Sequence, residues 1–219
     1  MLEFTLMNTD INTNLDTFCS QYKEINYKKG DIVIRGDDAP TGVYLIKSGI
    51  VKMSSIAEDG NELAVNIYKP GTFFPMTWAI GGVENSYYYQ TLAASKLVRV
   101  PKDEFVVFLK KNPEILYDLT RRVLIGLDGL LFNVRHLLNG TSVSKVASIL
   151  YMLARRFGIK DGDQVEIGLG LSHQEISRFA GVTRETTTIA INKLVNDGII
   201  TQKQRKLTVR NMEYLRGAF

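Results

Sequence analysis

Residues 171–194 have the sequence LSHQEISRFAGVTRETTTIAINKL, and this stretch decides the fold of the C-terminal part of the chain. Ser172 followed three residues later by Glu175 is a capping box, which marks the start of a helix. Gly181 supplies a turn, and Thr183 is a suitable N-cap for a second helix. Two short helices joined by so tight a turn predict a helix-turn-helix. Its small shared core is expected to contain Ile176, Phe179, Val182, Ile189 or Ala190, and Leu194.

The first turn of the second helix carries side chains that match the edges of bases. Arginine pairs bidentately with guanine, glutamate accepts from the amino group of cytosine, and a threonine methyl can lie against the methyl of thymine. We therefore predict base contacts from Arg184, Glu185, Thr187 and Thr188. The alternative is that Arg184 and Glu185 form only a solvated first turn, in which the helix dipole favours the glutamate.

A basic segment follows this helix. Residues 197–210 predict a two-stranded wing, and its four cations, Lys203, Arg205, Lys206 and Arg210, have no acidic residue between them. A run of charge is usually only a solvated face, but one directly behind a recognition helix suits contacts to phosphate. The predicted phosphate contacts are Ser172, Thr183, Lys203, Arg205 and Lys206.

The positive charge of the chain is concentrated at the same end. The formal net charge is +4 over 219 residues. From Asn139 onward there are 12 Lys and Arg against 7 Asp and Glu, whereas the preceding residues carry 15 against 16. An anionic partner is therefore expected to meet the C-terminal part, and double-stranded DNA is the partner that we predict.

The N-terminal part has the pattern of an all-β domain. Between Tyr22 and Val100, short β runs alternate with turns that contain glycine, of which Asp59-Gly60 is the best hairpin turn. This spacing predicts a compact antiparallel barrel or sandwich. The predicted strands are residues 31–35, 42–46, 50–54, 63–68 and 97–100.

A long helix is predicted between these two parts, after Pro113, with apolar residues on two of its faces. One face has the alternating spacing of three and four residues that is typical of the seam between paired helices. This predicted dimer seam comprises Leu124, Leu127, Leu131, Val134 and Leu138. The second face, which we expect to pack onto the β domain, comprises Leu119, Val123, Leu130 and Leu137. The alternative to a homodimer is a helix buried in the core of a monomer.

Asn139-Gly140 predicts the end of the long helix, and Thr141 or Ser142 is expected to cap the next one. The chain is therefore divided into a β domain at residues 1–110, a dimerisation helix at 111–138 and a DNA-binding domain at 139–219.

Composition excludes several classes of protein. The lone Cys19 forms no internal disulfide and holds no iron–sulfur cluster or structural zinc, which favours a reducing cytoplasm. The N-terminus lacks the layout of a signal peptide, and no apolar run is long enough to cross a membrane. The two histidines, His136 and His173, are expected at the surface rather than as haem ligands. We therefore expect a cytoplasmic protein with no metal site, cofactor or membrane partner.

An enzyme is the competing class, because β domains of this size also serve metal-dependent oxygenases and isomerases. Such enzymes need clustered histidine and carboxylate ligands, and the β region contains no histidine. A third interpretation is a regulatory β module whose DNA reader has lost its function. The Arg184-Glu185 pair and the basic wing argue against it, so we predict that the protein is not an enzyme.

A β-roll, a long helix and a winged helix-turn-helix, in this order, resemble the Crp/Fnr superfamily of bacterial transcription regulators. The most specific matching pieces are residues 172–177 (SHQEIS), 181–186 (GVTRET) and 194–200 (LVNDGII). The resemblance implies an α+β protein: an antiparallel, jelly-roll-like β-roll, a dimerisation helix and a winged helix-turn-helix.

The resemblance also implies a homodimer that binds a palindromic operator through Arg184 and Glu185, and it adds RNA polymerase as a candidate partner. The family often has an arginine one helical turn after the glutamate. This chain has Thr188 followed by Ile189 there, so the family's operator sequence does not carry over.

The effector does not carry over from the family either. Cyclic-nucleotide binders of this fold hold the phosphate with a Gly-Glu pair and an Arg-Ser pair, where this chain has Pro75-Met76 and Asn85-Ser86. Leu130 and Leu131 stand where the long helix of cyclic AMP binders offers hydroxyls, so cyclic AMP is not expected. The residues expected to line the pocket are Phe74, Met76, Trp78, Tyr87 and Tyr89. They either bind an unknown small organic ligand or fill the pocket of a regulator that needs none.

Overall fold

The computed structural model describes residues 9–58 and 60–217, and the side chains of all of these except residues 9–13, 133 and 139. The chain divides into two units, Met1–Val123 and Leu124–Phe219, and the division falls inside the long helix.

The first unit is built from short strands flanked by helices. Its elements are α1 (Thr9–Cys19), β1 (Glu24–Tyr27), β2 (Ile32–Ile34), β3 (Val43–Ser48), β4 (Val51–Ile56), β5 (Glu62–Tyr68), β6 (Phe73–Phe74), α2 (Met76–Ala79), β7 (Tyr88–Thr91), β8 (Ser95–Val100), α3 (Lys102–Lys111) and the start of α4 (Pro113–Asn139). The strands form two antiparallel sheets, in the orders β1-β8-β3-β6 and β2-β7-β4-β5.

Strand β3 shows how the two sheets and the helices are held together. Its residues Val43–Ile46 are all buried. Alternate side chains of a strand point to opposite faces of the sheet, so both faces of β3 are covered here. Tyr44 and Ile46 join a cluster drawn from both sheets, whereas Val43 and Leu45 join a second cluster with the helices. The helical members of the second cluster are Leu15, Cys19, Ala79, Phe105, Leu109, Ile115 and Leu119.

The prediction of an antiparallel β domain is confirmed, and each predicted strand overlaps one of β2, β3, β4, β5 and β8. The structure adds β1, β6 and β7, which have only two to four residues each. Asp59 of the predicted Asp59-Gly60 hairpin turn lies outside the described residues. The strands on either side of it, β4 and β5, do pair as a hairpin.

Cys19 is fully buried in the helix-side cluster, and burial raises the pKa of its thiol to about 11. A raised pKa favours the neutral thiol, so the stability that Cys19 contributes is complete below pH 9 and is lost as the pH rises toward 11.

We expect a thiol reagent at pH 8 to modify Cys19 about a hundredfold more slowly in the native protein than in urea, because only the thiolate reacts. The native rate should rise with pH up to about pH 11. Equal rates in native and unfolded protein would contradict the burial of this side chain.

The second unit contains the rest of α4, which is followed by α5 (Ser142–Phe157), β9 (Gly158–Asp161), β10 (Gln164–Ile167), α6 (His173–Ala180), α7 (Arg184–Asn196), β11 (Ile200–Lys203), β12 (Lys206–Val209) and α8 (Met212–Gly217). Its strands form one antiparallel sheet, in the order β11-β12-β10-β9. Thr141 caps α5 by accepting a hydrogen bond from the backbone N–H of Ser144. The buried residues of this unit come mainly from α5, α6 and α7.

Helix α4 is only partly as predicted. Leu119, at the start of its second face, is buried in the helix-side cluster, and Leu137, near the end of that face, is half-buried. Val123 and Leu130 between them are exposed, so this face is covered by the chain near its two ends and not in its middle. Among the described residues, no helix is both long and apolar enough to cross a membrane.

His136 is buried on α4, which corrects the expectation of a surface residue. Its Nδ1 lies 2.7 Å from the carbonyl oxygen of Phe132, and the two rings are 4.3 Å apart between centroids. The ring of Phe132 also lies 5.7 Å from that of Tyr151 on α5. His136 therefore belongs to the packing of the DNA-binding unit.

Candidate nucleic-acid interface

Helix α6 begins with the predicted capping box. The hydroxyl of Ser172 accepts from the backbone N–H of Glu175 at 3.2 Å, and the Glu175 carboxylate accepts from the backbone N–H of Ser172 at 2.7 Å. The Ser172 hydroxyl also donates to Glu175 Oε2 at 2.7 Å. The hydrogen of this hydroxyl is therefore engaged within the cap. The phosphate contact of Ser172 stays a prediction, and it requires the hydroxyl to donate to the phosphate instead of to Glu175.

Loss of this cap should loosen the start of α6. In Ser172→Ala the N–H of Glu175 loses its acceptor, which costs about 1 kcal/mol. We expect amide hydrogens in the first turn of α6 to exchange about fivefold faster, as measured by mass spectrometry. The internal control is strand β10, where exchange should not change. Unchanged exchange at α6 would show that the cap is not what orders this helix.

The turn between α6 and α7 is set by Gly181, which has a left-handed backbone with φ of 60° and ψ of 37°. Its N–H donates to the carbonyl of Ser177, which closes α6. Thr183 then caps α7, since its hydroxyl accepts from the backbone N–H of Thr186 at 3.2 Å. The predicted helix-turn-helix is confirmed, and the start of α7 is fixed by local hydrogen bonds.

One face of α7 points away from the core of its unit. Arg184, Glu185, Ile189 and Asn192 are exposed, and Thr188 is half-buried. At 3.6 residues per turn these five positions span about 140° of the helix surface. We call them the exposed strip of α7. The opposite face, formed by Thr187, Ala190, Ile191 and Leu194, is buried.

The burial of Thr187 corrects its assignment as a base contact. Its side chain is fully buried, and its hydroxyl donates to the carbonyl of Thr183 at 3.0 Å. The prediction treated the first turn as a single surface, but residues 187, 190, 191 and 194 follow the spacing of a helix face that packs inward. The choice between Ile189 and Ala190 for the core is also settled: Ala190 is buried and Ile189 is exposed.

His173 joins the recognition helix to the wing, a role that the sequence did not indicate. Its Nδ1 lies 2.9 Å from the hydroxyl of Thr188, which donates to the carbonyl of Arg184 at 3.0 Å. The Thr188 hydroxyl must therefore accept from Nδ1–H, which leaves Nε2 to accept from the amide of Gln202 at 3.1 Å. That amide also donates to the carbonyl of Gln204 in the wing turn.

The wing is a hairpin of β11 and β12, in which Lys203 is paired with Lys206 across a turn at Gln204-Arg205. The side chains of Lys203, Arg205 and Lys206 are exposed. Three cations thus surround one tight turn, an arrangement suited to phosphate.

Lys206 has an acidic partner that the sequence run does not include. Its Nζ lies 3.0 Å from Glu166 Oε1 on the neighbouring strand β10. The Lys206 side chain is 69% exposed, and surface ion pairs contribute about 1 kcal/mol or less, so this pair can be exchanged for a phosphate at small cost.

A second exposed surface runs along α4. The five residues of the predicted seam are between 39% and 77% exposed in the single chain, although all are leucine or valine. A continuous apolar stripe of this kind is typical of a surface that a partner covers.

The five predicted pocket residues do not line one pocket, which corrects that expectation. Phe74 and Tyr89 are buried between the sheets, with ring centroids 4.9 Å apart, and Tyr68 stacks on both. Tyr87 packs against the same cluster. Burial raises the pKa of Tyr89 well above its ordinary value, so its hydroxyl is neutral at physiological pH.

Met76 and Trp78 lie with the other cluster, on the helix side of the sheet. The chain leaves β6 at Pro75 and starts α2, which ends the alternation of a strand and takes both side chains to that side. The Lys102 ammonium lies 4.7 Å from the centre of the Trp78 ring. A surface groove of about 200 Å³ is lined by residues 32–35, 38–41 and 44, which include none of the five.

Two family models match the chain. Residues 24–112 match a cyclic nucleotide-binding domain, and residues 144–218 match a Crp-like helix-turn-helix domain. Among curated proteins, the chain is 30% identical over 186 residues to a global nitrogen regulator of Synechocystis sp., which covers 82% of this chain and 80% of the relative. It is 24% identical over 214 residues to the regulatory protein HlyX of Actinobacillus pleuropneumoniae, and this match covers 98% of this chain and 88% of the relative.

Solved structures share the fold. A CooA mutant from Carboxydothermus hydrogenoformans superposes with a TM-score of 0.77 at 21% identity, over 91% of this chain and 88% of that one. A transcriptional regulator of the CRP/FNR family from Thermus thermophilus gives a TM-score of 0.69 at 24% identity, over 89% of this chain and 96% of that one.

Proposed function

The chain belongs to the Crp/Fnr family of DNA-binding transcription regulators, and from this premise we propose that it acts as a homodimer that binds an inverted repeat in double-stranded DNA. It is a regulator and not an enzyme. A cytoplasmic location is part of the proposal, and RNA polymerase stays a candidate partner.

The exposed strip of α7 carries this proposal. Arg184 and Glu185 stand in its first turn, which Thr183 caps, while the opposite face of the helix is anchored in the core. The two side chains are therefore presented from a rigid support, as base contacts require. Thr188 can add its methyl group, since its hydroxyl is engaged with Arg184 and His173.

The backbone of DNA is proposed to contact the same face of the unit. Lys203, Arg205 and Lys206 at the wing turn supply cations for phosphates. Ser172 and Thr183 stand at the N-termini of α6 and α7, where backbone N–H groups and the helix dipole favour an anion. These contacts position the protein, and the base contacts give specificity.

Pairing of two chains along the α4 seam supports the inverted repeat. A twofold-symmetric dimer presents two copies of α7 related by the same axis, so its target is two half-sites in opposite orientation. Half-sites of such dimers lie about one helical turn of DNA apart, or a multiple of it.

The β domain is proposed to work without cyclic AMP. Asn85, at the position of the family's arginine, has no positive charge, and its amide donates to the carbonyls of Arg35 and Tyr87. The stacked rings of Phe74, Tyr89 and Tyr68 fill the space between the sheets. A filled interior favours a protein that binds DNA without an effector, and an unknown small organic ligand is the alternative.

Nuclease protection and native mass spectrometry test this function on genomic fragments retained by the ligand-free protein. We expect a protected region of about two helical turns and two chains on each duplex. Added cyclic AMP should leave the affinity unchanged, and a tenfold gain would overturn that part of the proposal. One chain per duplex would overturn the dimer.

A further inference from the structure

Ile189 is an exposed apolar side chain at one edge of the exposed strip of α7. It is 69% exposed, whereas the neighbouring Ala190 and Ile191 are buried. Scattered apolar residues on a surface need no explanation, so exposure alone says little. The position is what matters here: Ile189 lies one helical turn after Glu185, on the same side of the exposed strip as Glu185.

Thr188, which precedes Ile189 in the sequence and also belongs to the strip, offers a methyl group as well. The hydroxyl of Thr188 donates to the carbonyl of Arg184 and lies 2.9 Å from His173 Nδ1. With that hydroxyl engaged inside the protein, the γ-methyl of Thr188 is the part left for an outside partner. Thr188 and Ile189 therefore each offer an apolar group beyond the charged first turn, at positions about 100° apart around the helix.

Both side chains are also stiff. Isoleucine is branched at Cβ and adopts one strongly preferred χ1 rotamer in a helix. The Thr188 rotamer is fixed by its two hydrogen bonds. Isoleucine is not favoured by helix propensity at an exposed position, where alanine, lysine or glutamate would stabilise the helix more.

In the major groove, the group that matches an apolar side chain is the C5 methyl of thymine. We propose that Ile189 is a specificity-determining residue that contacts the methyl group of a thymine in each half-site. This inference rests on the proposed function, since it requires α7 to enter the major groove. Ile189 follows Glu185 by four residues, or about 6 Å along the helix, so the thymine lies about two base pairs from the base that Glu185 contacts.

Replacing thymine by uracil tests the contact, because the two bases differ only in this methyl group. The half-site is first taken from duplexes that the wild-type protein enriches from a random pool. Each of its thymines is then replaced by uracil in both half-sites, and affinities are measured for wild type, Ile189→Ala, Ile189→Val and Ile159→Ala. Ile159 is the matched control, an isoleucine 63% exposed on strand β9.

For wild type we expect one thymine at which the change to uracil weakens binding by about fourfold per half-site. Ile159→Ala should behave like wild type, and Ile189→Val should keep most of the effect. In Ile189→Ala the preference for thymine over uracil should disappear, while the protein still binds the repeat.

Three outcomes would overturn the inference while leaving the proposed function in place. The half-site contains no thymine, uracil is tolerated at every thymine, or the loss caused by uracil persists in Ile189→Ala. If the wild-type protein enriches no sequence at all, the proposed function itself fails, and the inference fails with it.

Discussion

The Leu127→Glu variant is expected to be a monomer, with the 24.6 kDa mass of a single chain. Leu127 is the second of the five seam residues, and it is 46% exposed in the single chain. Pairing two copies of α4 would bury two carboxylates in an apolar interface, at a cost of several kcal/mol. Light scattering gives the mass. Binding to an inverted repeat should fall by about two orders of magnitude or more, because each chain then holds only one half-site.

Val107→Glu is the control for this experiment. Val107 is 49% exposed on α3, close to the value for Leu127, but it lies outside the seam. This variant should keep the mass and the DNA affinity of the wild type. A Leu127→Glu protein that keeps the mass of two chains would contradict the seam.

The Arg184→Ala variant is expected to lose discrimination at one guanine in each half-site. A bidentate arginine–guanine contact contributes roughly 1–3 kcal/mol, so the loss over two half-sites amounts to at least about 30-fold in affinity. The measurement compares the selected duplex with one in which that guanine pair is changed. Wild type should prefer the selected duplex strongly, and the variant should bind both alike.

Arg205→Ala is the matched arginine variant, since Arg205 is exposed in the wing turn. It should weaken binding to all sequences alike and lower the slope of log affinity against log salt by about 0.9 for each lost phosphate contact. Lys206→Ala should act in the same direction but less strongly, because Lys206 is paired with Glu166. If Arg184→Ala also weakens every sequence equally, Arg184 is a phosphate contact and not a base contact.

The helix-turn-helix could be predicted from the sequence because its signals are local. The capping box at Ser172, the left-handed Gly181 and the cap at Thr183 are each set by residues within a few positions. The wing could be predicted as well, because its basic turn lies directly after α7. The assignment of Thr187 as a base contact is wrong, although the sequence contains the signal that places it. Its spacing from Ala190 and Leu194 puts the three residues on one face of the helix, and that face is buried.

Features that depend on residues distant in the sequence could not be predicted. Nothing near Lys206 indicates Glu166, 40 residues earlier, and nothing near His173 indicates Gln202. The aromatic residues of the β domain were expected in one pocket, but α2 takes Trp78 to the other side of the sheet. His136 is buried because α4 packs Phe132 against Tyr151 of α5, a contact between helices that periodicity alone does not reveal.

Selection from random duplex DNA by the purified protein, with no ligand added and at moderate salt, tests the central claim most directly. The account predicts an enriched inverted repeat whose half-sites lie about one helical turn apart. Retention that is sensitive to salt, with no enriched sequence, would contradict it, because the ligand-free dimer would then hold its two recognition helices out of register with DNA.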